Sequence, residues 1–475
     1  MTFAESSCLI IASNFPPIQS AGVYRTLRMA KYLPALGWKL NILTLSTNTL
    51  QQGTSIDPAL LDQIPTDIQI YRAPARFPIE KLNRILGRNR QSAKEKVALN
   101  GITGGGTTTG KMPKKSSAGF YQRLKDQLTL PWMTPDRMVG WVGPAAKLGT
   151  VAVRESETNV IYSSGPPWSN HLVAVRIVAA TGLPWVADFR DPWGGNAFRP
   201  GRSGDTWAGR KHRELESRVY RNASVVIFNT DRSRSDAVDR IGESLANKSV
   251  VIPNGFDPAH FEGLDLSSSS PDTVKPASEP LQIIHAGSFY GKRNVDSLLS
   301  AIGELKRAGK LSAADVQLSL IGRVREHEQT LVKQHSIGDI VALEPPVSHH
   351  DCLQRLRDAD LLLLVQTEAP LCIPGKLYEY IAIGKPVLTV ASDGATADLV
   401  AAESIGECIA PTDITGLKIC LLDLVDRHRN GGIKRRDVSV RNRYDGSRQM
   451  ELFDTVLRRA MVDPETRSAV GVVSE

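Results

Sequence analysis

Short apolar runs alternate with helix-length amphipathic stretches along this chain, and the alternation stops once and then restarts. The first series of candidate strands is Cys8–Ser13, Lys39–Leu45, Asp67–Arg72, Asn159–Ser163, Pro184–Phe189, Ser224–Asn229 and Ser249–Pro253. These runs are rich in Val and Ile and often apolar on both faces, as strands of a buried parallel sheet are. The spacing predicts a helix over 22–36, with Tyr24, Leu27, Ala30 and Leu33 as its apolar stripe and Gly37 closing it. Residues 262–280 then hold Ser, Pro and Asp and almost no large apolar side chain, which reads as a linker. Beyond it the pattern returns, with strands at Gln282–Ala286, Val316–Ile321, Ile340–Leu343, Leu361–Gln366 and Pro386–Val390 and helices at Asn294–Ala308 and Val324–His335. Repeated strand–helix–strand units on both sides predict an α/β protein with two doubly wound parallel sheets. The expected layout is residues 1–262 with a basic insertion at 76–125, a linker at 263–280, a second domain at 281–425 and a charged helical tail at 426–475.

Ligands of such sheets bind beyond the carboxyl ends of the strands, so the loops there carry the chemistry. Residues 373–387, IPGKLYEYIAIGKPV, follow the apolar run LLLLVQ. Pro374 suits the first helical position and Gly384 the helix end. Lys376 and Glu379 then stand one turn apart near the positive end of the helix. A cation and free N–H groups suit a diphosphate, and a carboxylate can accept from ribose hydroxyls. The same two residues also make an ordinary i, i+3 surface pair. A second loop, Ala286-Gly287-Ser288-Phe289-Tyr290-Gly291-Lys292-Arg293-Asn294, brings glycines, two cations and a helix cap at Asn294. It reads as a phosphate turn, or as a glycine turn with solvated cations.

In the first half, Asp188, Arg190 and Asp191 cluster just beyond a strand, as an acceptor or sugar contact or as a structural ion pair. Gly194 and Gly195 follow them. His171 lies on a helix after Ser163-Ser164-Gly165-Pro166-Pro167, where a lone histidine is more often structural. His349-His350-Asp351 has a superficial metal-ligand look, but it sits where a helix should begin and a capping role suits Asp351 better.

Together, IPGKLYEYIAIGKPV, HAGSFYGKR and Ile252-Pro253-Asn254-Gly255-Phe256-Asp257 resemble the family 4 retaining glycosyltransferases of the two-Rossmann-domain GT-B fold. FPPIQSAGVYRTLRMAKYLPALGWKLNILT and SSGPPWSNHLVAVRIVAATGLPWVADFRDPW are similar to that family as well. The likeness spans roughly residues 8–260 and 281–410 and leaves 76–125 unmatched. It implies two domains facing across a cleft and metal-independent transfer with retention at the anomeric carbon. It places Lys292 and Arg293 on the donor phosphates, Glu379 on the ribose, Gly22 near the donor diphosphate and His171 near the transferred sugar. Gly287, Lys376 and Leu377 are expected around the donor as well, and Arg25 with the acceptor or sugar contacts. Two departures stand out: Leu371 occupies the position of the family's usual glutamate, and Ala21-Gly22 replaces its double glycine.

Charge and composition bound the rest. Residues 76–125 hold twelve Lys or Arg against Glu80 and Glu95, a local +10 in a chain of net charge +8. A nucleic-acid-binding protein is therefore the weaker reading, because the basic charge is local. A nucleotide-sugar epimerase on a similar double fold, and a degenerate non-catalytic fold, are the other rivals. Phe77, Ile79, Leu82, Ile85 and Leu86 mix with cations in the insertion, a composition suited to an anionic membrane surface. The expected partners are a nucleotide-sugar donor and a glycan or lipid-linked acceptor, with no cofactor, no metal and no nucleic acid. Five cysteines without a close pair argue against a disulfide framework. With no basic residue before the first apolar run, a cytoplasmic enzyme is expected, peripheral at the inner face of the membrane.

Overall fold

The computed structural model describes residues 6–50, 53–76, 134–194, 206–264, 266, 279–289, 293–431, 433 and 438–462. Lys292, Gly195, all of the basic insertion beyond Arg76 and most of the linker lie outside the described residues. Two compact units divide the chain: Met1–Thr26 with Gly37–Ala187 and Gly201–Ser224, and Leu27–Leu36 with Asp188–Pro200 and Val225–Glu475.

The alternation folds into two sheets. The first contains β1 (Ser6–Ile11), β2 (Trp38–Leu45), β3 (Gln69–Ala73), β4 (Val160–Gly165), β5 (Trp185–Phe189), β6 (Val225–Phe228) and β7 (Ser249–Val251). The second contains β8 (Leu281–Ala286), β9 (Val316–Ile321), β10 (Val341–Glu344), β11 (Leu361–Gln366), β12 (Val387–Ala391) and β13 (Gly406–Ile409). Their orders are β3-β2-β1-β4-β5-β6-β7 and β10-β9-β8-β11-β12-β13. Both reverse direction between their first and fourth strands, β1/β4 in one and β8/β11 in the other. That is the doubly wound order, in which the crevice at the reversal point takes the ligand. The pairings on both sides of each reversal are parallel.

The run LLLLV in β11 is apolar throughout because both of its faces are covered. Leu361, Leu363 and Val365 join one buried cluster, and Leu362 and Leu364 join another. Helix Ile414–Arg429 closes the first face through Leu417, Leu421 and Leu424, and helix Gly375–Ile383 closes the second through Leu377, Tyr380 and Ile381.

Most element ends depart from the sequence reading by a residue or two, and one helix end by four. The helix expected over 22–36 runs Val23–Tyr32 and gives way to a 3-10 turn at Pro34–Leu36, because Pro34 restrains the residue before it and lacks an N–H. Pro374 is the residue before the helix rather than its first residue. Asn294 stands one place before the capping position, although its Oδ1 still accepts from Asp296 N at 3.3 Å. Strand β13 was not foreseen, since GECI has no apolar run and is only half-buried. The cysteines are unpaired, and all but the half-buried Cys408 are buried. Among the described residues no helix is long and apolar enough to cross a membrane.

Candidate functional site

At the second reversal point the strands part. The β8–β11 ladder runs over Leu361↔Ile283 and Leu362↔Ile284. One residue further, Leu363 O accepts from side chains instead: His285 Nδ1 at 2.9 Å and Tyr380 OH at 3.3 Å. Tyr380 OH in turn accepts from Ala286 N at 3.2 Å. Side chains thus complete the backbone bonds where the sheet opens, which is why buried polar groups occur in this core.

The loop after β8 begins at Gly287. A Cβ there would stand 3.3 Å from His285 Nε2 and 3.5 Å from Lys376 Cε, so two loops distant in sequence meet over this residue. Gly322, after β9, must also be glycine, because a Cβ would stand 2.3 Å from Gly287 O. Arg293 lies on the same rim, and its guanidinium donates to Oε1 of Gln366, the buried last residue of β11.

Helix Gly375–Ile383 begins without a side-chain cap and ends at Gly384, whose φ of 79° and N–H bond to Tyr380 O make a left-handed stop. Lys376 Nζ is 4.0 Å from Glu379 Oε2, and His349 Nε2 donates to Glu379 Oε1 at 3.3 Å. Burial alone would raise the Glu379 pKa. The His349 hydrogen bond, Lys376 and His260 outweigh it and hold the carboxyl below its usual range. His260 packs edge-on against His349, 5.0 Å between ring centres. Leu377 is wholly buried and its N–H bonds to Pro374 O, so it contributes packing rather than a ligand-facing side chain. Gly287, Arg293, Lys376 and Glu379 are therefore assembled on one rim.

Asp351 is not the cap of its helix. Ser348 is, with its Oγ accepting from Asp351 N at 3.1 Å. Among the described residues no group of three or more His, Cys, Asp or Glu could hold a metal ion.

The first reversal point is built differently. Asn170 crosses it, accepting from Ser13 N at 3.2 Å and donating to Ser164 O at 2.7 Å. Asp136 meets the start of helix Ser169–Thr181: its carboxylate accepts from Ser169 N at 3.0 Å and from Ser169 Oγ at 2.7 Å. His171 is fully buried, with Nδ1 2.8 Å from Ser163 Oγ, which accepts from Trp185 Nε1 at 2.8 Å. A Cβ at Gly165 would stand 2.6 Å from His171 Nε2. The ring thus packs against Gly165, the last residue of β4. Gly22 sits just ahead of helix Val23–Tyr32, on which Arg25 is buried. Asp188 is buried within β5, Arg190 is largely buried and Asp191 half-buried. Arg190 O accepts from Asn229 Nδ2. Gly194 packs beneath the Arg240 guanidinium, 2.7 Å from where its Cβ would be.

Sequence reasoning missed Asp136, Gln366 and the role of His285. The available signal was polarity in apolar phase: His285 alternates with Leu281 and Ile283, and Gln366 ends a fully buried strand.

Two doubly wound parallel sheets, the second with cations and an uncapped helix at its reversal point, make an α/β fold of the GT-B type. Residues 270–436 match the glycosyl transferases group 1 family and residues 117–255 match the glycosyl transferase 4-like domain. The chain belongs to the group 1, 4-like glycosyltransferases. It is 28% identical over 159 residues to WcaL of Escherichia coli K12, a glycosyltransferase named for colanic acid biosynthesis, covering 33% of this chain and 38% of that protein. The chain thus spans well under half the length of that curated relative. Sucrose-phosphate synthase from Thermosynechococcus elongatus matches with a TM-score of 0.55 at 15% identity, over 96% of this chain and 97% of the other. Anabaena HepE, solved with UDP and glucose, gives 0.55 at 14% identity over 95% and 99%. These two likenesses show the shared fold.

Proposed function

We propose that this protein transfers a sugar, with retention, from a nucleoside-diphosphate sugar to a glycan or lipid-linked acceptor in polysaccharide synthesis. The observation that carries the reading is the rim at the second reversal point, where Gly287, Lys376, Arg293 and Glu379 meet beside an uncapped helix start. Lys292, Arg293 and Lys376 offset charge as the bond from the anomeric carbon to the diphosphate oxygen breaks. The bond to the acceptor oxygen forms on the same face, and the acceptor proton leaves with the diphosphate. Glu379 accepts from the ribose hydroxyls. Arg25, Asp188, Arg190 and Asp191 serve the acceptor or sugar, and His171 supports them from its place against Gly165 at the end of β4. Positioning and charge supply the rate in this reading, so no carboxylate nucleophile and no metal is needed. HepE, solved with UDP and glucose, and WcaL, named for colanic acid biosynthesis, point to the same donor and product classes.

A thermal-shift panel of nucleoside diphosphates and nucleotide sugars tests the donor, since a ligand of the native state stabilises it in proportion to ln(1 + [L]/Kd). At least one diphosphate should raise Tm, in the presence of EDTA as well; no shift with any of them overturns the reading. Turnover of the donor without any acceptor would indicate epimerisation or hydrolysis instead. For the lipid-linked acceptor, the basic composition of residues 76–125 is the support. Sedimentation with anionic vesicles, weakened by salt and by deleting residues 76–117, is the expected result; equal sedimentation of the deletion variant removes this part of the reading.

A further inference from the structure

His285 has no task in the function proposed above, yet it is 4% exposed and sits at the centre of the rim. A carbonyl can only accept, so the contact with Leu363 O fixes the proton on Nδ1. Nε2 is then left as a lone pair, buried and with no hydrogen bond. A buried polar atom without a partner is costly and calls for an explanation. Phe289 stacks on the ring at 4.9 Å and 12°, which fixes its plane. Nε2 is aimed at Gly287, where the missing side chain leaves a space bounded by the imidazole and the Lys376 stem, 3.3 Å and 3.5 Å from the Cβ position. The charged and titratable groups facing the ring are Lys376 and Tyr380 from helix Gly375–Ile383 and Arg293 from the loop after β8.

We propose that His285 is a proton-linked phosphate ligand of the donor site. It takes a proton from solvent as a nucleoside diphosphate binds at the Gly287 turn, and Nε2–H then donates to a phosphate oxygen. The proposal rests on the donor-site reading above. With the rim empty, burial first and then the Lys376 and Arg293 charges lower the imidazole pKa to about 4, so the ring is neutral. A diphosphate offsets both cations and adds negative charge beside Nε2, which shifts the balance toward imidazolium. The Nδ1–H bond to Leu363 O is kept in both states. Because the complex binds the extra proton, affinity rises as pH falls between the bound and empty pKa values.

Calorimetric titration of the full chain tests this, using whichever of UDP, GDP, ADP, CDP and dTDP gives the largest thermal shift. Runs at about pH 6 and about pH 7.5, in buffers of unequal ionisation enthalpy, count the protons exchanged per nucleotide. The nucleotide's own proton exchange is common to every protein compared. Wild type should take up more protons at the lower pH than His285→Gln, which keeps an N–H donor but cannot ionise. His285→Phe, which keeps a flat ring to stack on Phe289, should bind about tenfold more weakly or worse. Equal proton uptake by wild type and His285→Gln, or unchanged affinity in a folded His285→Phe, overturns the proposal. Lys376→Ala separates the two readings. If it too binds normally, the donor site itself is wrong; if it alone binds weakly, only the role of His285 is.

Discussion

The helices that follow the two reversal-point strands start in opposite ways. Helix Ser169–Thr181, after β4, meets a carboxylate of its own chain, Asp136, at its first N–H. Helix Gly375–Ile383, after β11, has only Pro374 ahead of it and no side-chain cap. A helix start carries a partial positive charge and free N–H groups, so it attracts an anion. In the first sheet that anion is built in; in the second, Pro374 offers no side-chain cap to the helix start. The buried histidines do not follow this contrast: each has Nδ1 bonded, to Ser163 Oγ or to Leu363 O, and each turns Nε2 to a glycine, Gly165 or Gly287. The proposed donor site thus lies in the half whose helix start has no such carboxylate.

The largest expected effect falls in that half. Replacing Lys292 and Arg293 together with Ala should lower turnover by a factor on the order of 100 or more, because in the proposed reaction they act on charge that develops in the transition state. Steady-state rates of a folded double variant check this, and normal turnover would leave the halves undistinguished. Stability should also depend on pH through the second half. His285 titrates at about 4 in the fold, below its ordinary value of 6.5. Between those values the unfolded chain binds a proton that the folded chain does not, so stability falls as pH drops. The loss should reach about 3 kcal/mol at the low end and vanish above the ordinary value. Urea unfolding across that range should show the slope in wild type and a flatter one in His285→Phe.

How much of this was legible depends on how local each cause is. Strands β9 and β11 carry the bounds that the sequence suggested: β11 is an apolar run buried on both faces, and β9 alternates buried Val316, Leu318 and Leu320 with half-buried Gln317 and Ser319. Lys376 and Glu379 were legible as a pair because one helical turn joins them. His285 was not, since its phase matches Leu281 and Ile283 and a histidine there reads as core. Its open nitrogen exists only because β8 and β11 part beyond Ile284, a feature of two strands far apart in the chain. Asp136 was hidden for the same reason: nothing in its own neighbourhood ties it to Ser169.

A smaller effect sharpens the assignment at Glu379. Glu379→Gln keeps the shape and removes the charge, and nucleoside diphosphate affinity should fall by about 1–3 kcal/mol. The loss should shrink when the ribose hydroxyls are removed from the nucleotide, as measured by titration calorimetry. An equal loss with deoxynucleotides would mean that the carboxylate serves Lys376 and His349 rather than the ribose.

The smallest effect comes from the half whose anion is internal. Asp136 accepts from Met138 N as well as from Ser169, so it joins a 3-10 turn to the helix that carries His171. Asp136→Ala removes the acceptor of three donors, two of them buried, and should cost about 1–2 kcal/mol of stability, as loss of a helix cap does. Asp136→Asn keeps one acceptor oxygen and should cost less. Neither change touches the second rim, so nucleotide affinity should stay at the wild-type value while the denaturation midpoint falls. The comparison breaks if Asp136→Ala weakens nucleotide binding as strongly as Lys376→Ala does. Nucleotide binding would then depend on the first reversal point as much as on the second, and the difference between the two helix starts would no longer separate the halves.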